Sequence, residues 1–223
     1  MEERKARRRK ISFFRLEKTR SRIGDEVAVE LENLGVYFSL GQKTLWALED
    51  INLTIRSGEV VGIIGHNGAG KTTLCRVLGG LLKADRGKVK VNGEVLALLS
   101  LGAGFNRHLS GRDNIYLNGL MLGMSLKEIA ALYDDIVAFS ELGEFIDTPV
   151  KYYSSGMLSR LGFSITAATE PAIFVIDEAL STGDASFNEK AGERIQEMIS
   201  GSKAVIVVSH SLPFIQKVCT RAL

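Results

Sequence analysis

The 223-residue sequence lacks the features typical of disulfide-stabilised secreted proteins and of membrane-spanning proteins. It contains only two cysteines and three prolines, and no apolar run approaches the ~18 residues that a membrane-spanning helix requires. Cys75 and Cys219 each lie in an apolar helical pattern, so we expect two buried, reduced thiols rather than a disulfide. No secretory signal precedes the first strand-like segment. These absences exclude a disulfide-stapled secreted domain and favour a globular protein of the reducing cytoplasm.

The charge is distributed unevenly along a chain whose net charge is only +2. Residues 1–26 contain ten Lys or Arg and five Asp or Glu, so this extension carries +5 and the other residues carry −3. Four apolar residues interrupt its charges: Ile11, Phe13, Phe14 and Leu16. One hypothesis is a solvated basic extension. The alternative is a segment that lies on anionic lipid or docks on a membrane partner, with nucleic acid as a weaker third choice. In each case we expect the folded domain to span residues 27–223.

A glycine-rich run lies between a strand-like apolar stretch and a helical pattern. It consists of Gly65, His66, Asn67, Gly68, Ala69, Gly70, Lys71, Thr72 and Thr73. The run matches G-x-x-x-x-G-K-[ST], in which glycines let backbone N–H groups surround phosphate oxygens and the lysine adds a point charge. The N-terminus of the following helix also favours a polyphosphate. The sequence therefore predicts a nucleotide-binding P-loop, with the Thr72 hydroxyl placed to ligate Mg²⁺.

Periodicity predicts strands on both sides of this loop. Residues 27–34 alternate as an edge strand does, residues 46–55 repeat the alternation, and Asn92-Gly93 predicts a hairpin between residues 88–91 and 94–99. Between the first two strands, Tyr37 and Phe38 are either core residues or an aromatic surface for adenine.

Helical patterns complete the α/β assignment. The first covers residues 72–82, with Leu74, Val77, Leu78 and Leu81 on one face. Residues 111–147 are wholly helical and include a capping box at residues 125–128, followed by Leu126, Ile129, Tyr133 and Ile136 at helical spacing. Residues 187–201 form a further amphipathic helix. We expect a helical subdomain, at about residues 106–168, inserted into the α/β body.

Two buried strands end in residues that could act on phosphate. Residues 173–176 are apolar and lead to Asp177 and Glu178. A parallel strand would deliver Asp177 beside the P-loop to hold Mg²⁺ through water, and Glu178 could act as a general base on the attacking water. The strand at residues 204–208 ends near His210, which we predict to contact the terminal phosphate.

The order of these motifs resembles the ATP-binding cassette of ABC transporters over residues 27–223. The resemblance implies a P-loop NTPase fold with a RecA-like mixed-sheet core, an antiparallel β subdomain and a helical subdomain. It implies that ATP and Mg²⁺ are cofactors, that Thr72 and Asp177 hold the metal, and that Glu178 and His210 are catalytic. Phe38, or alternatively Tyr37, falls where the family stacks adenine.

The same resemblance implies a head-to-tail homodimer, because the family completes each ATP site with the partner's signature loop. The matching loop consists of Tyr153, Ser154, Ser155, Gly156 and Met157. A further loop, the D-loop, matches at Ser181, Gly183 and Asp184. Two features depart from the family pattern. No glutamine occurs near residues 100–105, where one usually senses the terminal phosphate, and the chain stops at Leu223, where the family continues.

More narrowly, three stretches look like the subfamily that exports lipid-linked cell-surface polymers: residues 101–105, 110–116 and 153–157. The resemblance is closest to teichoic acid exporters, with capsule and O-antigen exporters as the alternative. It implies a peripheral subunit on the cytoplasmic face of the membrane that drives a polytopic permease, with no nucleic-acid partner. Two competing hypotheses are a soluble cassette ATPase acting on nucleic acid or ribosomes, and an interaction module with structurally bound ATP.

Overall fold

The computed structural model describes residues 23–41, 43–98, 104–177 and 185–223. These ranges contain eight strands and six helices. The elements are β1 (Val27–Leu40), β2 (Lys43–Arg56), β3 (Val60–Ile64), α1 (Lys71–Leu78), β4 (Arg86–Val91), β5 (Val95–Leu98), α2 (Gly111–Met121), α3 (Leu126–Ser140), α4 (Ser155–Ala167), β6 (Ile173–Asp177), α5 (Ala185–Gly201), β7 (Ala204–Ser209), α6 (Leu212–Val218) and β8 (Arg221–Ala222). Two short 3₁₀ turns, Gly143–Asp147 and Val150–Tyr152, lead into α4.

The strands form two sheets. A three-stranded antiparallel sheet has the order β2-β1-β4, and a five-stranded parallel sheet has the order β5-β6-β7-β3-β8. All six residues of β7 are buried, as expected for a central parallel strand covered on both faces. The α/β fold is confirmed, with antiparallel and parallel pairings divided between the sheets.

Two of the strand predictions are wrong. The strand predicted to lie at an edge, β1, is the middle strand of its sheet, because β4 pairs with it along Val29–Leu31. The predicted hairpin does not form: β4 pairs with β1, whereas β5 pairs with β6 in the other sheet. The Asn92 side chain donates instead to the carbonyl oxygen of Val27 at 2.7 Å. Asn92-Gly93 is therefore a crossing between sheets, which local turn chemistry does not distinguish from a hairpin.

Two helical predictions also need correction. α1 ends at Leu78 rather than continuing to residue 82, and Leu81 is 72% exposed instead of sharing the buried face. Leu126, the first residue of α3, is 60% exposed, although the capping box before it is confirmed by reciprocal bonds between Ser125 and Glu128. The first residue of a helix lies beyond the face that packs, so periodicity overextends the apolar stripe. Both cysteines are buried and form no disulfide with each other, as predicted.

Three hydrophobic clusters stabilise the fold. Two lie on either side of the parallel sheet, and their largest fully buried members include Phe163, Phe174 and Phe187. The third is formed by α2, α3, α4 and the segment that connects α3 to α4, and it includes the fully buried Ile115, Ile129 and Leu161. We call this third unit the helical cluster. Because the helical cluster has its own hydrophobic core, the packing that holds the start of α4 is separate from that of the sheet.

Candidate functional site

The P-loop forms the turn between β3 and α1. Gly70 caps α1 with φ of 86°, and Gly68 has φ of 87°, both in the left-handed region that glycine adopts most readily. A Cβ atom at Gly70 would lie 2.3 Å from the carbonyl oxygen of Ala47, so no larger residue fits there. Backbone N–H groups at such a helix N-terminus bind anions. The local geometry therefore fits a polyphosphate.

The Lys71 ammonium is held at the mouth of this turn. Its Nζ donates to the carbonyl oxygens of Gly65 at 2.6 Å and His66 at 2.9 Å. A lysine ammonium has three N–H donors, so these two bonds orient the third. His66 is exposed, and its Nδ1 lies 2.8 Å from the carbonyl oxygen of Asn67. Of these two residues, Lys71 is the one that belongs to the described lining of the cleft in front of the P-loop.

A cleft of about 430 Å³ opens in front of the P-loop. Its walls come from β2, the P-loop, α1 and the end of β7; the lining residues are Ala47, Asn67, Gly68, Gly70, Lys71, Thr72, Thr73, Val208, Ser209 and His210. The structure thus brings His210 to the P-loop, although 136 or more residues separate them in the chain. Parallel pairing explains this, because Ile64 at the end of β3 lies opposite Ser209 at the end of β7.

Strand register also brings Asp177 to this edge of the sheet. Asp177, the last residue of β6, pairs with Val208, which lines the cleft. A carboxylate at this strand end and the Thr72 hydroxyl are oxygen ligands of the kind that Mg²⁺ prefers. The Asp177 side chain lies outside the described residues, as do Glu178, Ser181, Gly183 and Asp184 and the region without glutamine at residues 99–103. Their roles stay predictions.

The two candidate adenine-stacking residues lie on opposite faces of the antiparallel sheet. Phe38 lies two residues after Val36 on the same face of β1, and Val36 pairs with Leu48, whose Cδ2 would lie 2.9 Å from a Cβ atom at Gly70 of the P-loop. Tyr37 pairs with Trp46 on the other face, and their ring centroids are 5.3 Å apart. Both candidates are 41% exposed. Exposure does not separate them, but the register puts Phe38 on the side of the phosphate cleft.

The predicted signature loop forms the start of α4. Ser154 is the N-cap of this helix, and its hydroxyl accepts a hydrogen bond from the Met157 N–H at 3.1 Å. Ser154 and Ser155 are exposed, and a Cβ atom at Gly156 would contact only the Ser154 hydroxyl, at 3.8 Å. Within the described ranges, no residue of this loop lines the P-loop cleft. The loop is therefore an exposed helix N-terminus that lies outside the described lining of its own chain's P-loop cleft.

Tyr153 differs from the rest of the signature loop because it is buried. Its hydroxyl donates to the carbonyl oxygen of Phe145 at 2.6 Å, and only 7% of the residue is exposed. Burial raises the pKa of Tyr153 to about 12. The ring packs in the helical cluster, where a Cβ atom at Gly111 would lie 2.4 Å from its hydroxyl. Tyr153 therefore anchors the loop, and the serines that follow it are the exposed part.

Sequence reasoning missed three residues of the cleft: Ala47, Val208 and Ser209. Val208 and Ser209 could have been found, since they end the predicted strand immediately before His210. Ala47 carried no comparable signal. It lies on β2 in the antiparallel sheet, and only the packing of that sheet against α1 brings its carbonyl oxygen next to Gly70.

Among the described residues, no helix is long and apolar enough to cross a membrane. Comparison with protein families matches residues 48–181 to the family described as ABC transporter. Solved structures show the same fold at 24% identity or less. One is a dimeric ATP-binding cassette in a post-hydrolysis state bound to ADP and Pi, with a TM-score of 0.65 over 83% of this chain and 89% of that chain. Another is the ATP-binding subunit of an ABC transporter, 21% identical, with a TM-score of 0.69 over 86% of this chain and 83% of that chain.

Curated relatives are considerably more similar in sequence. The teichoic acids export ATP-binding protein TagH of Enterococcus faecalis is 46% identical over 194 residues, which are 86% of this chain and 43% of the relative. The O-antigen export system ATP-binding protein RfbB of Klebsiella pneumoniae is 45% identical over 183 residues, 82% of this chain and 74% of the relative. The chain thus spans less than half of the first relative and about three quarters of the second. Both the family match and these identities lead to one conclusion: the chain belongs to the ABC transporter family and carries its ABC-type ATPase domain.

Proposed function

We propose that this chain is the ATP-hydrolysing subunit of an exporter for a lipid-linked cell-surface polymer. The observation that carries the proposal is the separation of two helix N-termini, one inside the P-loop cleft and one, at the start of α4, exposed outside it. Two copies arranged head to tail would place the open N-terminus of one over the cleft of the other. Each ATP would then be held between the two chains.

Each residue at the cleft has a proposed task. The P-loop backbone and Lys71 hold the phosphates, and Thr72 and Asp177 hold Mg²⁺, which neutralises charge on the transferred phosphoryl group. Glu178 accepts a proton from the attacking water, His210 contacts the terminal phosphate, and Phe38 stacks on the base. Ser154 and Gly156 of the second copy donate to the terminal phosphate, with charge at the helix N-terminus adding to their effect. The products are ADP and phosphate.

The polymer is proposed from the relatives. Proteins named for teichoic acid export and for O-antigen export are 45–46% identical to this chain. We propose wall teichoic acid as the cargo, with O-antigen or capsular polysaccharide as the alternative. Both classes require a membrane subunit, so the chain would act as a pair of subunits on the cytoplasmic face of the membrane beneath two permease copies.

An exposed apolar groove supports the permease partner. Leu81 is 72% exposed, Met121 66% and Leu122 39%, and these three side chains line one groove of about 210 Å³. Glu94, Thr169 and Glu170 also line the groove, so it offers a partner carboxylates as well as apolar contacts. The groove lies apart from the P-loop cleft, and no residue is common to the two among those described. A helix of the permease would therefore leave the ATP site open.

The decisive experiment blocks hydrolysis and measures pairing. Glu178→Gln should retain ATP binding, lose turnover by roughly 10²–10⁴-fold as expected for loss of a general base, and form a stable dimer with MgATP that sedimentation can detect. Wild-type hydrolysis rates in this variant would contradict the assignment of the base. The membrane partner is tested by co-purification with multispanning proteins encoded nearby. Met121→Glu should reduce that recovery and leave ATP binding unchanged, whereas recovery with ribosomes or DNA would contradict the exporter.

A further inference from the structure

Glu141 terminates α3 in a conformation that residues with a side chain rarely adopt. It is the C-terminal cap of the helix, with φ of 56° and ψ of 28°. Asn33 and Asp50 are the other non-glycine residues with positive φ in the described ranges, and Asn and Asp tolerate this region better than Glu does. Such a conformation persists only where surrounding contacts hold it. The side chain of Glu141 shows which contacts those are.

The Glu141 carboxylate bridges two cations from two other helices. Its Oε2 lies 3.1 Å from Nη1 of Arg160 on α4, and its Oε1 lies 3.1 Å from Nζ of Lys190 on α5. Lys190 Nζ also donates to the carbonyl oxygen of Phe139, at 3.2 Å. The side chain of Arg160 is 19% exposed, that of Lys190 38% and that of Glu141 44%. The bridge is therefore partly shielded from solvent, and the one carboxylate links the end of α3 to both α4 and α5.

An aromatic cluster packs against the two cations of this bridge. Phe139 of α3, Phe163 of α4 and Phe187 of α5 lie with ring centroids 5.7 to 6.0 Å apart in all three pairs. The Arg160 guanidinium lies over the Phe187 ring at 5.1 Å, and the Lys190 ammonium lies over the Phe139 ring at 4.5 Å. Each cation thus contacts both the carboxylate and a ring of another helix. The three helices are held to one another at a single place.

These helices connect the two halves of the proposed ATP site. α4 begins at the signature loop, and α5 lies in the chain between β6, which ends at Asp177, and β7, which leads to His210. We propose that Glu141 is a positioning residue for ATP hydrolysis. By tying α4 to α5, it makes the position of a chain's signature loop depend on the strand ends at the same chain's P-loop cleft. This inference rests on the proposed function.

The test uses the full chain and two matched carboxylate-to-amide substitutions. In Glu141→Gln, we expect kcat for MgATP to fall about tenfold, the size of typical coupling effects, while KM and nucleotide affinity of the single chain stay within about twofold. The control is Glu197→Gln, since Glu197 pairs with Arg194 of the same helix at 2.8 Å and, within the part of the chain that the structure describes, forms no ion pair with a second element. It should keep the wild-type kcat. Thermal unfolding of each variant verifies folding at the assay temperature.

A second substitution at the bridge separates coupling from general destabilisation. Lys190→Gln should also lower kcat, and the double variant with Glu141→Gln should be no slower than the slower single variant, because both changes break one bridge. A wild-type kcat in folded Glu141→Gln, or an equal loss in Glu197→Gln, would overturn the inference. Independent additive losses would overturn it as well.

Hydrogen exchange distinguishes failure of this inference from failure of the proposed function. In the wild type, MgATP should change protection both at the P-loop and in residues 155–167 of α4, and in Glu141→Gln only at the P-loop. If the wild type hydrolyses no ATP, the proposed function fails, and the exchange pattern still decides the coupling. An identical response of α4 in both proteins would contradict the role of Glu141.

Discussion

The P-loop and the predicted signature loop are both helix N-termini, yet they are built differently. Gly70 caps α1 without a side chain, so no side-chain oxygen accepts from the first N–H groups of this helix, and Lys71 adds a positive charge beside them. Ser154 caps α4 with its own hydroxyl, bonded to Met157 N–H. The first lies in a cleft with walls from both sheets, whereas the second is open. The first is therefore a site in its own right, and the second is suited to complete a site elsewhere.

The largest effect should come from removing the charge at the first of these N-termini. Lys71→Ala deletes an ammonium that would make a charge-assisted hydrogen bond to phosphate, so we expect nucleotide affinity to fall by roughly 100-fold. Titration of a fluorescent ATP analogue measures this. Folding should be preserved, because the two bonds of Lys71 are to carbonyl oxygens of an exposed turn. Undiminished ATP affinity in the folded variant would argue against the P-loop assignment.

The corresponding change at the second N-terminus should separate binding from turnover. Ser154→Ala removes the cap of α4, at a cost of about 1 kcal/mol in the free energy of unfolding, and removes one donor to the partner's phosphate. We expect hydrolysis to fall about tenfold while the single chain binds nucleotide normally. Urea unfolding, nucleotide titration and a steady-state ATPase assay give the three quantities. Equal losses of affinity and turnover would show that the two N-termini serve the same chain.

A smaller effect should distinguish the two faces of the antiparallel sheet. Phe38→Ala should weaken ATP binding about fivefold, the loss of one aromatic contact, and should affect inorganic triphosphate much less. Tyr37→Ala is the matched control, since it removes a ring that contacts Trp46 instead. It should leave affinity within about twofold. The reverse result would assign the base to Tyr37 and correct the face inferred from strand register.

The smallest effect at neutral pH is expected at Tyr153, which anchors the signature loop and contributes to the free energy of unfolding. The pKa of Tyr153 is raised from 10.0 to about 12, so the folded state retains the proton more strongly than the unfolded chain does. Stability from this group is fully present below pH 10 and is lost as the pH rises towards 12. Denaturant unfolding between pH 8 and pH 12 should show this decline. In Tyr153→Phe it should be weaker, with a lower stability at pH 8 because the Phe145 carbonyl loses its donor.

Local structure was predicted correctly where it depends on adjacent residues. The P-loop, the capping box at Ser125 and the buried strand β7 each follow from a few neighbouring side chains. The hairpin prediction at Asn92-Gly93 was wrong because a tight turn does not determine which strands its flanking segments pair with. β4 pairs with β1 and β5 pairs with β6, and both pairings join segments that are distant in the chain. Ala47 likewise reaches the cleft through packing between segments that are distant in the chain.

By itself, the sequence determined the chemistry available at the nucleotide site, because glycine, lysine and hydroxyl spacing within one loop decides what that loop can bind. It also predicted α1, α5 and the buried strands β3, β6 and β7, but it predicted neither α6 nor β8. Only the tertiary structure decided that Ala47 lines the cleft, that Phe38 rather than Tyr37 shares the face of the cleft, and that Glu141 joins α3, α4 and α5. These outcomes depend on parallel pairing and helix packing between distant segments, and no local pattern encodes their relative positions.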